Sequence, residues 1–503
     1  VRDVTGMPGR PSIAIVGSGF SGLGLAIRLI GAGFTDLTVF ERGGDVGGVW
    51  RENTYPGAAC DAPSHLYSYS FELKPDWSRR FAPQPEILGY LRHCARKYGV
   101  LEHIRFGCEI ASADFDPETG QWNLRTAGGE VHRADLLVAA CGQLSVPAVP
   151  GIPGLGDFAG TVFHSARWDH GHDLTGRTIA VVGNGASAVQ FVPRIAPGAA
   201  KLTVFQREPQ WVGWKWDRRY PRLRTALNRR IPLLQRLSRL AVFVWFEALL
   251  NPMLIAPRGR RVLSAHIRAL CRTTLWSVKD RRLRERLVPG YELGCKRVLV
   301  SSDYYRALDL PQVDVVTSAV VRATPDGLVT ADGREHPADT VIMATGFRTR
   351  DFVAPMRVRG LTERDLDEAW RDGPRAYLGM AVAGFPNFFL MYGPNTNVGS
   401  GSVVHMLESQ ISYIVQAARA LRDPGVLYMD VREGVLDGFD AALQRRLDGT
   451  VWNAGGCDSW YLHSGGGGAD GRRRNASNWP GSMLGYRRRT RTLDPSDYRI
   501  VMR

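Results

Sequence analysis

The chain of 503 residues is poor in cysteine, and none of its cysteines are close neighbours. The seven, Cys60, Cys94, Cys108, Cys141, Cys271, Cys295 and Cys457, are widely spaced and form no C-x-x-C pair. That argues against a zinc site and against a disulfide framework, and a reducing cytoplasm is the simplest setting. Long apolar runs are also missing. The most apolar stretch, residues 240–256, spans 17 positions and is interrupted by Glu247, Asn251 and Pro252. It reads as a buried or interfacial helix, too short for a membrane span. Residues 1–11 lack the apolar core of a secretion signal. Low-complexity sequence is absent too. With 44% hydrophobic and 22% charged residues, the chain has ordinary globular usage and room for two or three domains.

Acid is scarce in one segment. Residues 215–286 hold 19 Lys+Arg but only four acids, Asp217, Glu247, Asp280 and Glu285, while the rest of the chain is neutral. The net charge of +15 therefore belongs to this segment. Such a surplus suits an anionic partner: nucleic acid, a membrane surface or an anionic ligand. Leu, Ile and Val alternate with Arg at helical spacing, which predicts two or three helices. Their apolar faces are expected to pack on the domain, with the arginines in solvent.

Two stretches carry a dinucleotide-binding pattern. Residues 12–16 read as a buried parallel strand, followed by Gly17-Ser-Gly19-Phe-Ser21-Gly22, an apolar-periodic helix, and a second strand that ends at Glu41. In G-x-G-x-x-G the first glycine makes the turn and the second admits a pyrophosphate. The third lets helix and strand pack closely, and an acid at the end of the next strand suits ribose hydroxyls. About 165 residues later the pattern returns, with Gly183, Asn184, Gly185, Ser187, Ala188 and Gln190 after the strand at 178–182. There the second strand ends in Arg207, whose cation suits a 2′-phosphate, with Glu208 beside it as an opposing charge. An acid-ended unit and an Arg-ended unit in one chain point to FAD and NADPH, hence to hydride transfer to a flavin. Between the units, 122–126 and 131–140 read as strands. The segment 455–485, rich in Gly, Asn and Trp, reads as a long, mobile loop.

The stretch Phe158-Ala-Gly160-Thr-Val-Phe-His164-Ser-Ala-Arg-Trp168-Asp169 matches F-x-G-x-x-x-H-x-x-x-W-[PD]. Here the chain resembles the type I Baeyer–Villiger monooxygenases, from about residue 12 to residue 486. Gly47-Gly48-Val-Trp50, Cys60-Asp61, Tyr67-Ser-Tyr69 and Lys296-Arg297 fall in the family's order. The resemblance implies an α/β fold of two Rossmann-like domains, with an inserted basic helical subdomain at about 215–290. Residues 1–145 and 339–503 would build the FAD domain, 146–174 the linker with the fingerprint, and 175–338 the NADPH domain.

The implied activity is insertion of one atom of O2 beside a ketone carbonyl, giving an ester or lactone by way of a flavin C4a-peroxide. Arg297 would stabilise the negative charge and Asp61 would hold Arg297. Gly48, Trp50 and Tyr67 would stand on the flavin side. Lys296 with Arg207 would grip the 2′-phosphate, and Trp460 would fold over NADPH. Gly160, His164 and Trp168 would serve domain motion, with no proton-transfer role for His164. The departures are Arg51-Glu52-Asn53-Thr54, where some members carry aromatics, and Glu208, where Thr is common. An N- or S-oxygenating flavin monooxygenase is the alternative, whereas a flavin disulfide reductase would need a close cysteine pair. Nucleic acid is not an expected partner; a peripheral membrane contact through 215–286 is the second reading of that segment, beside packing of its apolar faces on the domain.

Overall fold

The computed structural model describes residues 11–255, 257–462 and 474–503. The expectations for residues 1–10 and 463–473 lie outside that range. Two parallel five-stranded sheets organise the chain. In the first, Ile13–Val16 is central, flanked by Leu37–Glu41 and then Ile104–Phe106 on one side, and by Leu136–Ala139 and then Phe388–Leu390 on the other. The second repeats this plan. Thr178–Val182 is central, with Lys201–Phe205 and Val313–Val316 on one side and Thr340–Met343 and Thr161–His164 on the other. The central strands read as unbroken apolar runs because helices cover both faces of a parallel sheet.

The first helix, Phe20–Gly31, is buried on nearly every side, and its C-terminal turn closes through Gly33 at φ +82°. The second unit places Ala186–Ile195 in the same position. A four-stranded sheet of Arg357–Arg359, Ile110–Asp116, Gln121–Thr126 and Val131–Ala134 packs beside the first unit.

Several expectations need correction. The apolar run 131–140 is two strands in two sheets, Val131–Ala134 and Leu136–Ala139. Asp135 makes the break by accepting hydrogen bonds from the Ser12 amide (2.8 Å) and hydroxyl (2.7 Å). Thr340–Met343 does not return to the first sheet; it pairs with Thr178–Val182 and Thr161–His164 in the second. The second unit therefore extends past residue 338 and recruits a strand from the linker.

Between residues 474 and 482 the chain is fixed. Asn475, Ser477, Asn478 and Trp479 are buried, and the backbone bonds Asn395 and Asn397 at 2.9–3.0 Å. Cysteine pairing also departs from expectation. Cys295 and Cys457 form a disulfide across 162 residues, which no local spacing could have signalled.

The basic segment folds as Arg222–Arg230, an unbroken helical stretch Pro232–Ile255, Pro257–Leu275 and Arg281–Arg286. It does not pack as expected. Along Pro232–Ile255 most of the leucines (Leu233, Leu234, Leu237, Leu240 and Leu249) are exposed, Gln235 and Asn251 are buried, and only the C-terminal part, with Met253 and Leu254, packs into the core.

Candidate active site

Each sheet opens a crevice at the carboxyl ends of its strands, where the strand order reverses. Gly17 sits there at φ +106°, and a Cβ on it would lie 2.6 Å from the Ala140 carbonyl oxygen. Gly183 sits at the same place in the second unit, at φ +108°, with a Cβ 2.4 Å from the Ala344 oxygen. No side chain fits between such backbones. Gly19 and Gly185 then cap their helices with nearly identical backbone angles and no side-chain cap. Both leave helix N–H groups pointing at an open crevice. The third glycine closes the packing, since a Cβ on Gly22 would meet the Gly17 oxygen at 1.9 Å. Ala188, fully buried, takes that place in the second unit.

The first crevice is a cleft of about 1200 Å³, including the part open to solvent. Gly17, Gly19, Ser21, Glu41, Gly48 and Tyr67 line it as expected. Gly48, at φ +53°, lies against Gly19, so two glycine backbones form one wall. Trp50 donates from its indole N–H to the Tyr67 hydroxyl at 3.1 Å, fixing the aromatic wall. Glu41 accepts from the Ser18 amide and hydroxyl and from the Gly43 amide, at 2.7–3.0 Å. Arg51 adds an ion pair to the same carboxylate at 2.9 Å. Sequence reasoning noted Arg51 only as a departure from the family pattern; its charge next to an acid-ended strand was the available signal.

In the second crevice Asn184 donates to Gln206 Oε1 at 2.9 Å and to the Glu208 carbonyl at 2.8 Å. Gln206 is buried and its Nε2 has no hydrogen-bond partner among the described residues. A buried, unsatisfied donor at such a turn fits a polar ligand. Ser187 bonds the Tyr55 phenol. Gln190 is committed elsewhere. Its amide accepts from the Ala59 N–H at 2.9 Å and donates to the Ala59 carbonyl at 3.1 Å, clasping the second unit to the segment ahead of Asp61. Arg207 is exposed at the end of its strand. Lys296 pairs with Glu208 at 2.6 Å and lies over the Tyr291 ring.

Where the two units meet, Arg297 and Asp61 come together from 236 residues apart. The guanidinium Nε and Nη2 both reach Asp61 Oδ2, at 2.9 and 2.7 Å. Asp61 raises the Arg297 pKa further above its ordinary value, against the opposing pull of burial, so the cation is permanent. Two bonds use two of five N–H groups; the other three can serve a substrate. Tyr392 and Tyr461 border Arg297, and Tyr392 also lines the first cleft. Neither tyrosine was singled out by sequence. Next to Asp61, the buried Cys60 thiol is pushed up to about 12 by burial and by the Asp61 charge, so it stays protonated.

The fingerprint residues lie on and beside the edge strand Thr161–His164. Gly160 is required because a Cβ there would lie 2.2 Å from the Asp339 oxygen. His164 is buried at the end of Thr161–His164, and its Nδ1 accepts from the Ala166 amide at 3.0 Å. Burial lowers its pKa, which keeps it neutral. Trp168 packs against Phe163 and Phe191. Trp460 is 40% exposed, its ring tilted against that of buried Tyr461 with centroids 4.4 Å apart, and is no core tryptophan.

A family model described as flavin-binding monooxygenase-like matches residues 10–252. A relative from Pseudomonas aeruginosa, named Baeyer-Villiger monooxygenase, is 42% identical over 97% of this chain and 91% of its own. One of the same name from Streptomyces coelicolor is 43% identical over 97% and 92%. Among solved structures, a steroid monooxygenase bound to NADP is similar at TM-score 0.84 and 29% identity, over 98% of this chain and 99% of that one. A closed cyclohexanone monooxygenase matches at TM-score 0.85 and 26% identity, over 99% and 100%. The doubled crevice, the Arg297–Asp61 pair at its junction and relatives that match almost end to end agree: the chain belongs to the Baeyer–Villiger monooxygenase family of flavin-binding monooxygenases.

Proposed function

We propose that the Gly17–Gly22 crevice holds FAD, that the Gly183–Ala188 crevice holds NADPH, and that Arg297 is the catalytic cation between them. The enzyme is an FAD- and NADPH-dependent Baeyer–Villiger monooxygenase that inserts one atom of O2 beside a ketone carbonyl, giving an ester or lactone. Bound NADPH supplies the hydride, and bound FAD the two-electron and dioxygen chemistry.

The fit of the residues supports this assignment. Two glycine backbones wall the first crevice and Tyr67 and Tyr392 border its inner part. Glu41 ends the second strand of this unit, where an acid suits ribose hydroxyls, and carries Arg51 as an ion-pair partner. In the second crevice the orphaned Gln206 Nε2 and the uncapped helix start await an anionic nucleotide. Arg207 is open to a 2′-phosphate.

The Arg297–Asp61 pair is the observation that carries the reading. Oxygen insertion builds negative charge at the ketone oxygen before a carbon substituent migrates. A fixed guanidinium with unused N–H groups stabilises that charge without reorganising. Asp61 holds Arg297 in place and prevents an uncompensated cation in a partly buried site. His164, neutral and bonded to Ala166, holds the end of the edge strand and moves no proton. Cys60, protonated and unpaired, takes no redox part.

The test is Arg297→Ala in purified flavoprotein given NADPH and a panel of ketones and sulfides. Flavin reduction is expected to persist while ester formation falls by at least roughly a hundredfold, the scale of losing one preplaced charge donor. Retained ester formation would remove Arg297 from the chemistry. Wild-type enzyme that makes sulfoxide and no ester would overturn the ketone reading.

A further inference from the structure

The helical stretch Pro232–Ile255 packs Phe243, Phe246, Met253 and Leu254 into the core, but leaves most of its other apolar side chains outside. It runs 24 residues, and its most apolar window has a mean hydropathy of 1.4, yet only 17% of that window is buried. Four of its polar side chains face the protein. Gln235 donates to the Lys74 carbonyl at 2.5 Å. Arg239 Nη1 donates to the carbonyls of His65, Leu66 and Ser68 at 2.9–3.2 Å. Glu247 accepts from the amides of Met483 (3.1 Å) and Leu484 (2.9 Å), and Asn251 donates to the Gly481 carbonyl at 3.4 Å. These bonds fix the rotation of the helix, since turning it would bury none of the leucines without orphaning Arg239 and Glu247. Leu233, Leu237, Leu240, Val244, Trp245 and Leu249 are left 40–59% exposed along one flank. A soluble surface rarely carries so continuous an apolar stripe without a partner.

The chemistry of the rim selects the partner. Arg222, Arg229, Arg230 and Arg236 are exposed beside the stripe. Of the segment's few acids, Glu247 is consumed by backbone amides and Asp217 by Arg79. A second copy docked on this face would oppose one strongly basic segment to another. An anionic lipid surface instead meets the arginines with phosphate and the leucines with acyl chains. Spanning is ruled out by the inner face, whose polar groups are bonded to the rest of the protein, so the helix lies flat in the interface.

We propose that the outer face of Pro232–Ile255 is a lipid-binding face that seats the enzyme on anionic membrane surfaces. The experiment uses purified full-length holoenzyme, sedimented with phosphatidylcholine vesicles with and without phosphatidylglycerol, at low and high salt. Wild type should pellet with the anionic vesicles and release as salt rises. Leu237→Ser/Leu240→Ser should bind about tenfold or more weakly, the loss expected from two leucines no longer buried. Its ketone-dependent NADPH oxidation in lipid-free buffer should equal that of wild type, which shows an intact fold. Failure of wild type to pellet with anionic vesicles would overturn the proposal, as would vesicle binding unchanged by L237S/L240S. A concentration-dependent dimer dispersed by that variant, without vesicle binding, would assign the face to a second copy instead.

Discussion

Glu208 stands between two cations that a 2′-phosphate would use. It pairs with Lys296 at 2.6 Å and leaves Arg207 exposed. Glu208→Gln frees the ammonium and removes a negative charge from the crevice. The KM for NADPH should fall about two- to fivefold, the scale of a half-exposed ion pair, with little change for NADH. Equal effects on both nucleotides in steady-state assays would mean that Lys296 and Arg207 do not meet the phosphate. A second pair of residues sets a pH limit. His65 and His405 are buried, and burial, helped by Arg239 beside both, lowers each to about 4. Their folded pKa lies below the unfolded value of about 6.5, so the unfolded chain binds protons first. Stability is full above pH 6.5 and is lost as pH falls toward 4, by on the order of 3 kcal/mol for each histidine. Asp430, raised to about 6 by burial, works in the opposite sense over the same range, so a variant comparison is needed. Thermal melts of His65→Phe/His405→Phe should decline less steeply between pH 6.5 and 4; parallel curves would exclude the histidines. Gly17, Glu41 and Gly183 were legible because they carry motif spacing, and Asp61 and Arg297 only through the family resemblance. Arg51, Gln206, Tyr392 and Tyr461 carry none, and only proximity marks them.

At the scale of elements, the fingerprint works through one edge strand. Thr161–His164 reaches the second sheet only because Gly160 lets its backbone lie against Asp339. Gly160→Ala puts a methyl 2.2 Å from a backbone oxygen that cannot yield. The edge strand should shift, with a cost of about 1–3 kcal/mol and a lower Tm. An unchanged Tm would show that the strand is not held there. The sequence reading succeeded on both βαβ units, since a strand, a glycine turn and a helix follow in immediate succession. It failed at 131–140, because an apolar run does not reveal where a chain changes sheets. For Pro232–Ile255 the expected inward packing holds only for Phe243, Phe246, Met253 and Leu254, since amphipathic periodicity gives two faces but not which one turns inward.

On the scale of the whole molecule, the Cys295–Cys457 disulfide adds a covalent link between the two units. It anchors the segment carrying Lys296 and Arg297 to the segment carrying Trp460. Closing a loop of 162 residues stabilises by about 5 kcal/mol in the chain-entropy account. Cys457→Ser should lower the Tm by several degrees without reductant (roughly the shift of such an energy), and adding reductant to wild type should reproduce it. Absence of a cross-linked Cys295–Cys457 peptide in non-reducing mass spectrometry would refute the link.

The sequence by itself determined the two glycine crevices, the acid and the arginine that end their second strands, and the ordered motifs of the family. Those are local patterns, and backbone sterics and helix polarity make them readable at short range. Only the tertiary structure decided that Gln190 clasps Ala59, that Cys295 finds Cys457 and that Leu233, Leu237 and Leu240 look outward. Each depends on contacts between segments far apart in the chain, where the hydrogen bonds of buried polar groups, and not periodicity, set which side faces in.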